Sequence, residues 1–310
     1  MKSPSHFISA GCSYSQPYNS NASWPMHVEE LLTSVEYSAH TGHGASGNQT
    51  ISRKVISTVV EALEQDIPSD QILVGIMWSA CDRQAHYSED HKRNYMRSTV
   101  TGGVQNYDIF LDQIETGLYD KELFNPIPHS KNMLNPFSIR NSKKPAHYIL
   151  NSHWQDELTT KYFEDFVNPE KAIIETCEHI LRTQWFLKDK GIRYFMTEYD
   201  HDVFTYMGPS YEGVYSDNTE CLFRPEEYSK ERHFAYIENP EINYLYNEID
   251  KNYWLPVKNL QDWVTNISVH QHTRMNAEGT PADPHPSTEQ HRDFTQQIIL
   301  PFLLEKYNIK

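Results

Sequence analysis

Short apolar runs and amphipathic stretches alternate along the first 80 residues of the chain. Residues 7–10 (FISA) and 71–78 (QILVGIMW) are compact apolar runs, and residues 35–40 (VEYSAH) have the composition of a further strand between them. In residues 24–33 and 49–63 the apolar positions recur at helical spacing. A near-continuous apolar strand such as 71–78 is typical of a parallel sheet covered on both faces. The pattern therefore predicts an α/β fold with a mainly parallel sheet.

The alternation is interrupted by two long stretches without clear periodicity. Residues 84–155 are polar and rich in proline, and residues 200–265 are rich in tyrosine. Neither has an apolar pattern that would build a core of its own. We therefore interpret both as irregular insertions within a single domain that spans residues 1–310.

Helix and strand signals return around these insertions. Asn168 followed by Pro169 is typical of a helix N-terminus, and Gly191 has the position of the glycine that ends that helix. Residues 192–197 (IRYFMT) predict the next strand. Ser287 has capping-box spacing to Gln290, which predicts one final helix up to the end of the chain.

Composition and charge exclude several classes of function. With 27 Lys and Arg against 42 Asp and Glu, the formal net charge is -15, which disfavours binding to nucleic acid and to anionic membranes. No apolar run is long enough for a membrane helix or a signal peptide, so we expect a cytoplasmic protein. The four cysteines have no paired spacing, which favours reduced thiols over disulfides or a zinc site.

Four polar or glycine-containing loops follow predicted strands or precede a helix. They are residues 11–15 (GCSYS), 42–48 (GHGASGN), 79–83 (SACDR) and 282–287 (ADPHPS). Open α/β sheets bind their ligands at the carboxyl ends of parallel strands. We therefore expect these loops to form one site.

These loops give the chain a resemblance to the SGNH (GDSL-type) hydrolases over residues 5–83 and 280–305. Gly11-Cys12-Ser13 resembles the Gly-Asp-Ser motif of that family, Gly44-Ala45-Ser46-Gly47 its Gly-x-Ser-Gly motif, and Asp283-Pro284-His285-Pro286 its Asp-x-x-His-Pro motif. The resemblance implies a three-layer α/β/α sandwich, flavodoxin-like in architecture, with about five strands. It also implies a serine esterase or acyl hydrolase.

The roles of individual residues follow from this resemblance. Ser13 would be the nucleophile, His285 the general base, and Asp283 the acid that orients the imidazole. The backbone N–H groups of Ser13 and Gly47 would form the oxyanion hole. On this basis Gly47→Ala is expected to damage catalysis more than folding.

The chain departs from the family pattern at three points. Cys12 replaces the aspartate of the first motif, and the last motif is one residue shorter. The asparagine that ends the third strand in the family has no clear counterpart, which leaves Asn48 or Ser79 as a substitute oxyanion donor. Losing one such donor costs about 10² to 10³ in rate. A catalytically weak or inactive binding or structural protein with the same fold therefore remains an alternative.

The predicted substrate is an ester with a short acyl group, which is hydrolysed or transferred. An acetylated carbohydrate is preferred because aromatic side chains stack on sugar rings, although core packing explains the same residues equally well. The candidates are Tyr206, Tyr211, Tyr215 and Trp254, while Arg83 is a candidate for binding an acidic group or for a structural ion pair with Asp82. No cofactor is implied.

A metal-dependent hydrolase is the second alternative. Its candidate ligands are His270, His272, Asp283, His285 and His291, which lie within one short stretch of the chain. Carboxylate and imidazole groups are typical zinc or iron ligands, and the two rings of His-x-His on a strand share one face. The chain contains 16 histidines, so such a cluster also arises by chance.

Overall fold

The computed structural model describes most of the predicted sheet and its helices. The described residues are 3–15, 22–42, 46–81, 83–88, 95–97, 104–106, 146–151, 165–199, 239–257, 259–268 and 285–309. In chain order the strands are β1 (His6–Ala10), β2 (Tyr37–His40), β3 (Ile72–Trp78), β4 (Arg83–Ser88), β5 (Tyr95–Arg97), β6 (Val104–Asn106), β7 (Ala146–Asn151) and β8 (Arg193–Glu198). The α-helices are α1 (Trp24–Leu31), α2 (Asn48–Glu64), α3 (Pro169–Asp189), α4 (Pro240–Glu248), α5 (Leu260–Asn266), α6 (Thr288–Phe294) and α7 (Leu300–Tyr307).

A four-stranded parallel sheet forms the centre of the molecule. Its strand order is β2-β1-β3-β8, and every neighbouring pair is parallel. Each of its strands lies within two residues of a strand expected from the apolar pattern. The α/β fold with a small parallel sheet is therefore confirmed.

Helices cover both faces of this sheet. Side chains alternate between the two faces along each strand, so neighbouring residues of one strand pack against different helices. Ile8 and Val74 pack with residues of α2 and α3 in one apolar cluster. Phe7 and Leu73, their neighbours in sequence, pack with residues of α1 and α7 in a second cluster. The two clusters explain why β3 is buried at every position and reads as a continuous apolar run.

The predicted helix ends are confirmed where the structure describes them. The Asn168 side chain accepts hydrogen bonds from the backbone N–H groups of Glu170 and Lys171. Gly191 has a φ of 65°, the left-handed conformation that glycine adopts at low cost. Ser287 and Gln290 form the capping box at the start of α6.

The two segments that we expected to be irregular contain regular structure. β4 pairs with β7 in an antiparallel ladder, and β5 pairs with β6 in another. Helices α4 and α5 lie in the second segment. The β4–β7 pair joins strands that are about sixty residues apart, and a local pattern does not reveal such pairing. Helix α4 buries only Ile242 completely, so its apolar stripe is weak.

The final helix is interrupted, which the capping pattern did not predict. A π-helical turn, Thr295–Ile299, separates α6 from α7. Pro301 lies in the first turn of α7. Because proline has no N–H and clashes with the preceding turn, it cannot continue a regular α-helix, and the wider turn accommodates it.

Among the described helices, none has both the length and the apolar composition required to cross a membrane.

Candidate functional site

The candidate site lies at the carboxyl edge of the parallel sheet, where β1 and β3 are neighbours. From β1 the chain crosses to β2 on one side, whereas β3 is followed in the sheet by β8 on the other. Such a reversal of strand order opens a crevice between the loops that follow the two central strands. The loops after β1, β2 and β3 all reach this edge.

The turn after β1 is held in one conformation by its neighbours. Residues Ser13–Ser15 form a short 3-10 helix, and the Ser15 N–H donates to the Cys12 carbonyl at 3.0 Å. The Ser15 hydroxyl accepts a hydrogen bond from the Trp24 indole at 3.0 Å. A Cβ at Gly11 would lie 2.1 Å from the Ser15 Oγ, so the turn requires glycine at that position. The backbone of Ser13 is therefore presented by a rigid turn.

Within this turn, Cys12 is the less accessible of the two possible nucleophiles. Its side chain is 0% exposed, and burial raises the pKa of its thiol, which the nearby Arg83 guanidinium offsets only in part. A thiol needs to be ionised and accessible to act as a nucleophile. Ser13 is only partly buried. Of the two residues, Ser13 is the one that a substrate can approach.

Two glycines pack the loop after β2 against its neighbours. A Cβ at Gly42 would lie 2.8 Å from the backbone of Ser15, and a Cβ at Gly47 would lie 2.0 Å from the carbonyl oxygen of Arg83. Gly47 is also the N-cap of α2, so the positive end of a 17-residue helix dipole lies beside it. Gly47→Ala is therefore expected to disturb folding as well as catalysis, because the new methyl group would collide with backbone.

Asn48 has a structural partner on the loop after β3. Its Nδ2 donates to the Ser79 carbonyl at 2.7 Å and to the Thr176 Oγ1 at 3.3 Å, and its Oδ1 accepts from the Ser79 N–H at 2.8 Å. The residue is only 2% exposed. Both amide hydrogens are thus used inside the protein, and the structure does not present Asn48 as an oxyanion donor.

Ser79 is not accessible to a substrate either, and its hydroxyl accepts a hydrogen bond from the Arg83 guanidinium. The Nη1 to Oγ distance is 2.8 Å, and Ser79 is completely buried. Arg83 also donates from Nη2 to the Tyr199 hydroxyl at 3.1 Å. Its guanidinium also lies near the Cys12 thiol, where its charge opposes the raised pKa of that group. One guanidinium therefore connects the loops after β1, β3 and β8. Arg83 therefore holds these loops together at the carboxyl edge of the sheet. Its predicted ion-pair partner, Asp82, lies outside the described residues.

His285 lies against the residue that follows Ser13. The imidazole of His285 and the ring of Tyr14 have centroids 4.8 Å apart and an interplanar angle of 38°. His285 is partly buried and directly precedes Pro286 and the N-cap of α6. The structure thus brings the loop near the end of the chain into contact with the turn near its beginning.

Other predicted site residues lie elsewhere or outside the described residues. Trp254 forms a bridge with Met196 in β8 and packs against the α2–α3 cluster, so it covers the edge of the sheet. Asp283, His270, His272, Tyr206, Tyr211 and Tyr215 lie outside the described residues. Within the described part of the chain, no group of three or more His, Cys, Asp or Glu side chains is arranged to hold a metal ion.

His291, a candidate metal ligand, is buried on α6. Burial lowers the pKa of His291 to about 3, and the neighbouring His27 and His285 contribute in the same direction. Its Nδ1 has no hydrogen-bond partner within the described residues. It is therefore a neutral imidazole inside the protein at physiological pH.

Two residues of this edge were not identified from the sequence. Tyr14 contacts His285, and Tyr199 contacts both Tyr14 and Arg83. Tyr199 directly follows β8, so the rule that pointed to the loops after β1 and β3 would also have found it. Tyr14 carries no sequence signal beyond its position beside Ser13.

Comparisons with family models, with curated proteins and with solved structures found no match to this chain.

Proposed function

We propose that the chain is a serine hydrolase of SGNH type that cleaves, or transfers, a short acyl group from an ester. The proposal assigns Ser13 as nucleophile, His285 as general base and Asp283 as the acid that orients the base. It places the reaction at the carboxyl edge of the parallel sheet, in the crevice between the loops after β1 and β3.

The observation that carries the proposal is the contact between Tyr14 and His285. Because Tyr14 follows Ser13 directly, a ring contact at 4.8 Å brings the imidazole into the neighbourhood of the serine turn. A general base must lie within hydrogen-bond reach of the proton it removes, although such bonds are often long before substrate binds. The accessibility of Ser13 and the burial of Cys12 favour the hydroxyl as the reacting group.

The proposed reaction has two steps that use the same groups. In the first, the Ser13 Oγ attacks the ester carbonyl, its proton passes to His285, and the alcohol leaves with that proton. In the second, water or another hydroxyl attacks the acyl-serine, and His285 again takes and returns the proton. The backbone N–H groups of Ser13 and Gly47 would bind the oxyanion, and the positive end of α2 favours negative charge there.

Neither Asn48 nor Ser79 is an available third oxyanion donor of the SGNH pattern. Both amide hydrogens of Asn48 are used within the protein, and the Ser79 side chain is completely buried. A site with two donors is expected to be slower by about 10² to 10³ than one with three. We therefore propose a slow enzyme. An acetylated carbohydrate remains the preferred substrate, on the basis of the aromatic residues of the tyrosine-rich segment alone.

The test is covalent labelling with a fluorophosphonate probe, which reacts with activated serines, beside turnover of p-nitrophenyl esters of increasing chain length. Wild type and Cys12→Ser should be labelled and active, whereas folded Ser13→Ala should be neither. If folded wild type is not labelled and hydrolyses no ester, the non-catalytic binding protein is the correct interpretation. Activity that survives Ser13→Ala but disappears with a chelator would instead support the metal-dependent alternative.

A further inference from the structure

The ring of Tyr14 is the centre of a set of ring contacts that runs across the candidate site. One neighbour is the His285 imidazole, and another is the Tyr199 ring, which forms an edge-to-face contact at a centroid distance of 5.2 Å and an angle of 74°. The Arg83 guanidinium lies 4.7 Å from the centre of the Tyr199 ring. These contacts link the turn after β1, the loop after β8 and the loop that carries His285.

Tyr14 itself has little freedom to move. It is 3% exposed, and its hydroxyl donates to the Gln261 Oε1 of α5 at 3.4 Å. Its backbone belongs to the rigid turn that also carries Ser13. Because the Tyr14 ring is held on the turn that carries Ser13, the ring contact also holds the His285 imidazole in place relative to Ser13.

The proposed chemistry gives this contact a second consequence. When Ser13 loses its proton, His285 becomes an imidazolium, and its positive charge then lies against an aromatic ring. A cation within about 6 Å of a ring centroid is attracted by the ring, with a strength equivalent to about 2- to 30-fold in an equilibrium or a rate. Because the charge exists only after proton transfer, the attraction favours the transition state over the resting enzyme.

We propose that Tyr14 is a positioning residue that holds His285 beside Ser13 and stabilises the imidazolium formed during acyl transfer. The inference rests on the proposed function. The resemblance to the SGNH family implies no such role for the residue after the serine. The assignment therefore comes only from the contacts of the Tyr14 ring with His285 and Tyr199.

The first test compares Tyr14→Phe with Tyr14→Leu. The Phe variant keeps the ring and should retain kcat within about threefold, whereas the Leu variant should lose about 3- to 30-fold in kcat with little change in KM. Trp185→Leu, at a 55% exposed position on α3, is the matched control and should change neither quantity.

A second test keeps the volume of the buried ring, in case the Leu variant does not fold. Position 14 is substituted with phenylalanine and then with monofluoro-, trifluoro- and pentafluorophenylalanine. Fluorine withdraws charge from the ring face, so kcat and the rate of fluorophosphonate labelling should fall stepwise while the melting temperature stays nearly constant. Rates that stay level across folded members of this series would overturn the inference.

The outcomes separate the two proposals. If Ser13 is not labelled in wild type, the proposed function fails before Tyr14 is considered. If Ser13 is labelled and required for activity, but the fluorinated series shows no effect on kcat or on the labelling rate, only the role of Tyr14 is lost.

Discussion

Asn48 and Ser79 are joined by two hydrogen bonds that form a closed ring between the start of α2 and the loop after β3. The Asn48 Nδ2 donates to the Ser79 carbonyl, and the Ser79 N–H donates to the Asn48 Oδ1. Both groups of the Ser79 backbone are buried and are satisfied by this one side chain. The loop after β3 therefore depends on Asn48 for its conformation.

This arrangement predicts that Asn48→Ala lowers stability. The substitution leaves two buried backbone groups of Ser79 without partners, which should lower the free energy of unfolding by about 3 kcal/mol. Urea unfolding measures the loss, and Asn252→Ala, on an exposed residue, is a control that should change it by less than about 0.5 kcal/mol. If Asn48 were instead an oxyanion donor, the variant would lose turnover while its unfolding curve stayed the same.

Gly47→Ala is expected to reduce folding and labelling of Ser13 together. The methyl group would lie 2.0 Å from the Arg83 carbonyl oxygen, so backbone must shift, at a cost of about 1–3 kcal/mol. Gly191→Ala is a useful comparison, because Gly191 has open space around it and only its φ of 65° opposes a side chain. That variant should lose about 1 kcal/mol and keep full labelling. An unchanged melting temperature in Gly47→Ala would contradict the close packing of Gly47 against Arg83.

Cys12 should resist alkylation in the folded protein. Its thiol is fully buried and its pKa is raised by burial, so both access and ionisation are low. Modification by iodoacetamide at neutral pH should be about 100-fold slower than in urea, measured by mass spectrometry of the peptide that contains Cys12. Rapid modification of Cys12 in the absence of denaturant would show that the turn after β1 opens.

His291 should make stability depend on pH. The unfolded chain binds a proton at this residue near pH 6.5, whereas burial lowers the pKa of His291 to about 3 in the folded state. The contribution of the neutral His291 to the free energy of unfolding is complete above pH 6.5. It is lost as pH falls towards 3, by up to about 1.4 kcal/mol per pH unit. Between pH 7.5 and 5.5, wild type should lose about 1 kcal/mol more than His291→Gln in urea unfolding. Equal losses in the two proteins would contradict burial of a neutral imidazole.

The sequence predicted the central sheet well because its strands are short apolar runs with clear ends. The run from Ile72 to Trp78 is buried throughout, and its composition alone identifies it. Caps such as Asn168 and Ser287 were also found, since their hydrogen bonds involve residues two or three positions away. Structure that depends on interactions between residues close in sequence can therefore be predicted from the sequence.

The contacts of the site could not be read in the same way. The sequence suggests Asn48 as a substitute oxyanion donor because the asparagine of the third SGNH motif has no clear counterpart, but its partners Ser79 and Thr176 are distant in sequence. The ring contact between Tyr14 and His285 joins positions near the two ends of the chain. Whether an amide or a ring is free or occupied depends on such distant partners, which a single sequence does not specify.

The π-helical turn at Thr295–Ile299 sets the angular phase between the two halves of the C-terminal helix. In an α-helix each residue advances the chain by about 100°, so one extra residue in a turn rotates the first half by that amount relative to the second. Leu303 anchors α7 in the core and Phe294 anchors α6 in the same cluster, and His285 lies just before α6. Deleting one residue from this turn would rotate the buried face of α6 relative to that of α7, so the wider turn is what allows both helices to bury their apolar sides while His285 stays beside Tyr14.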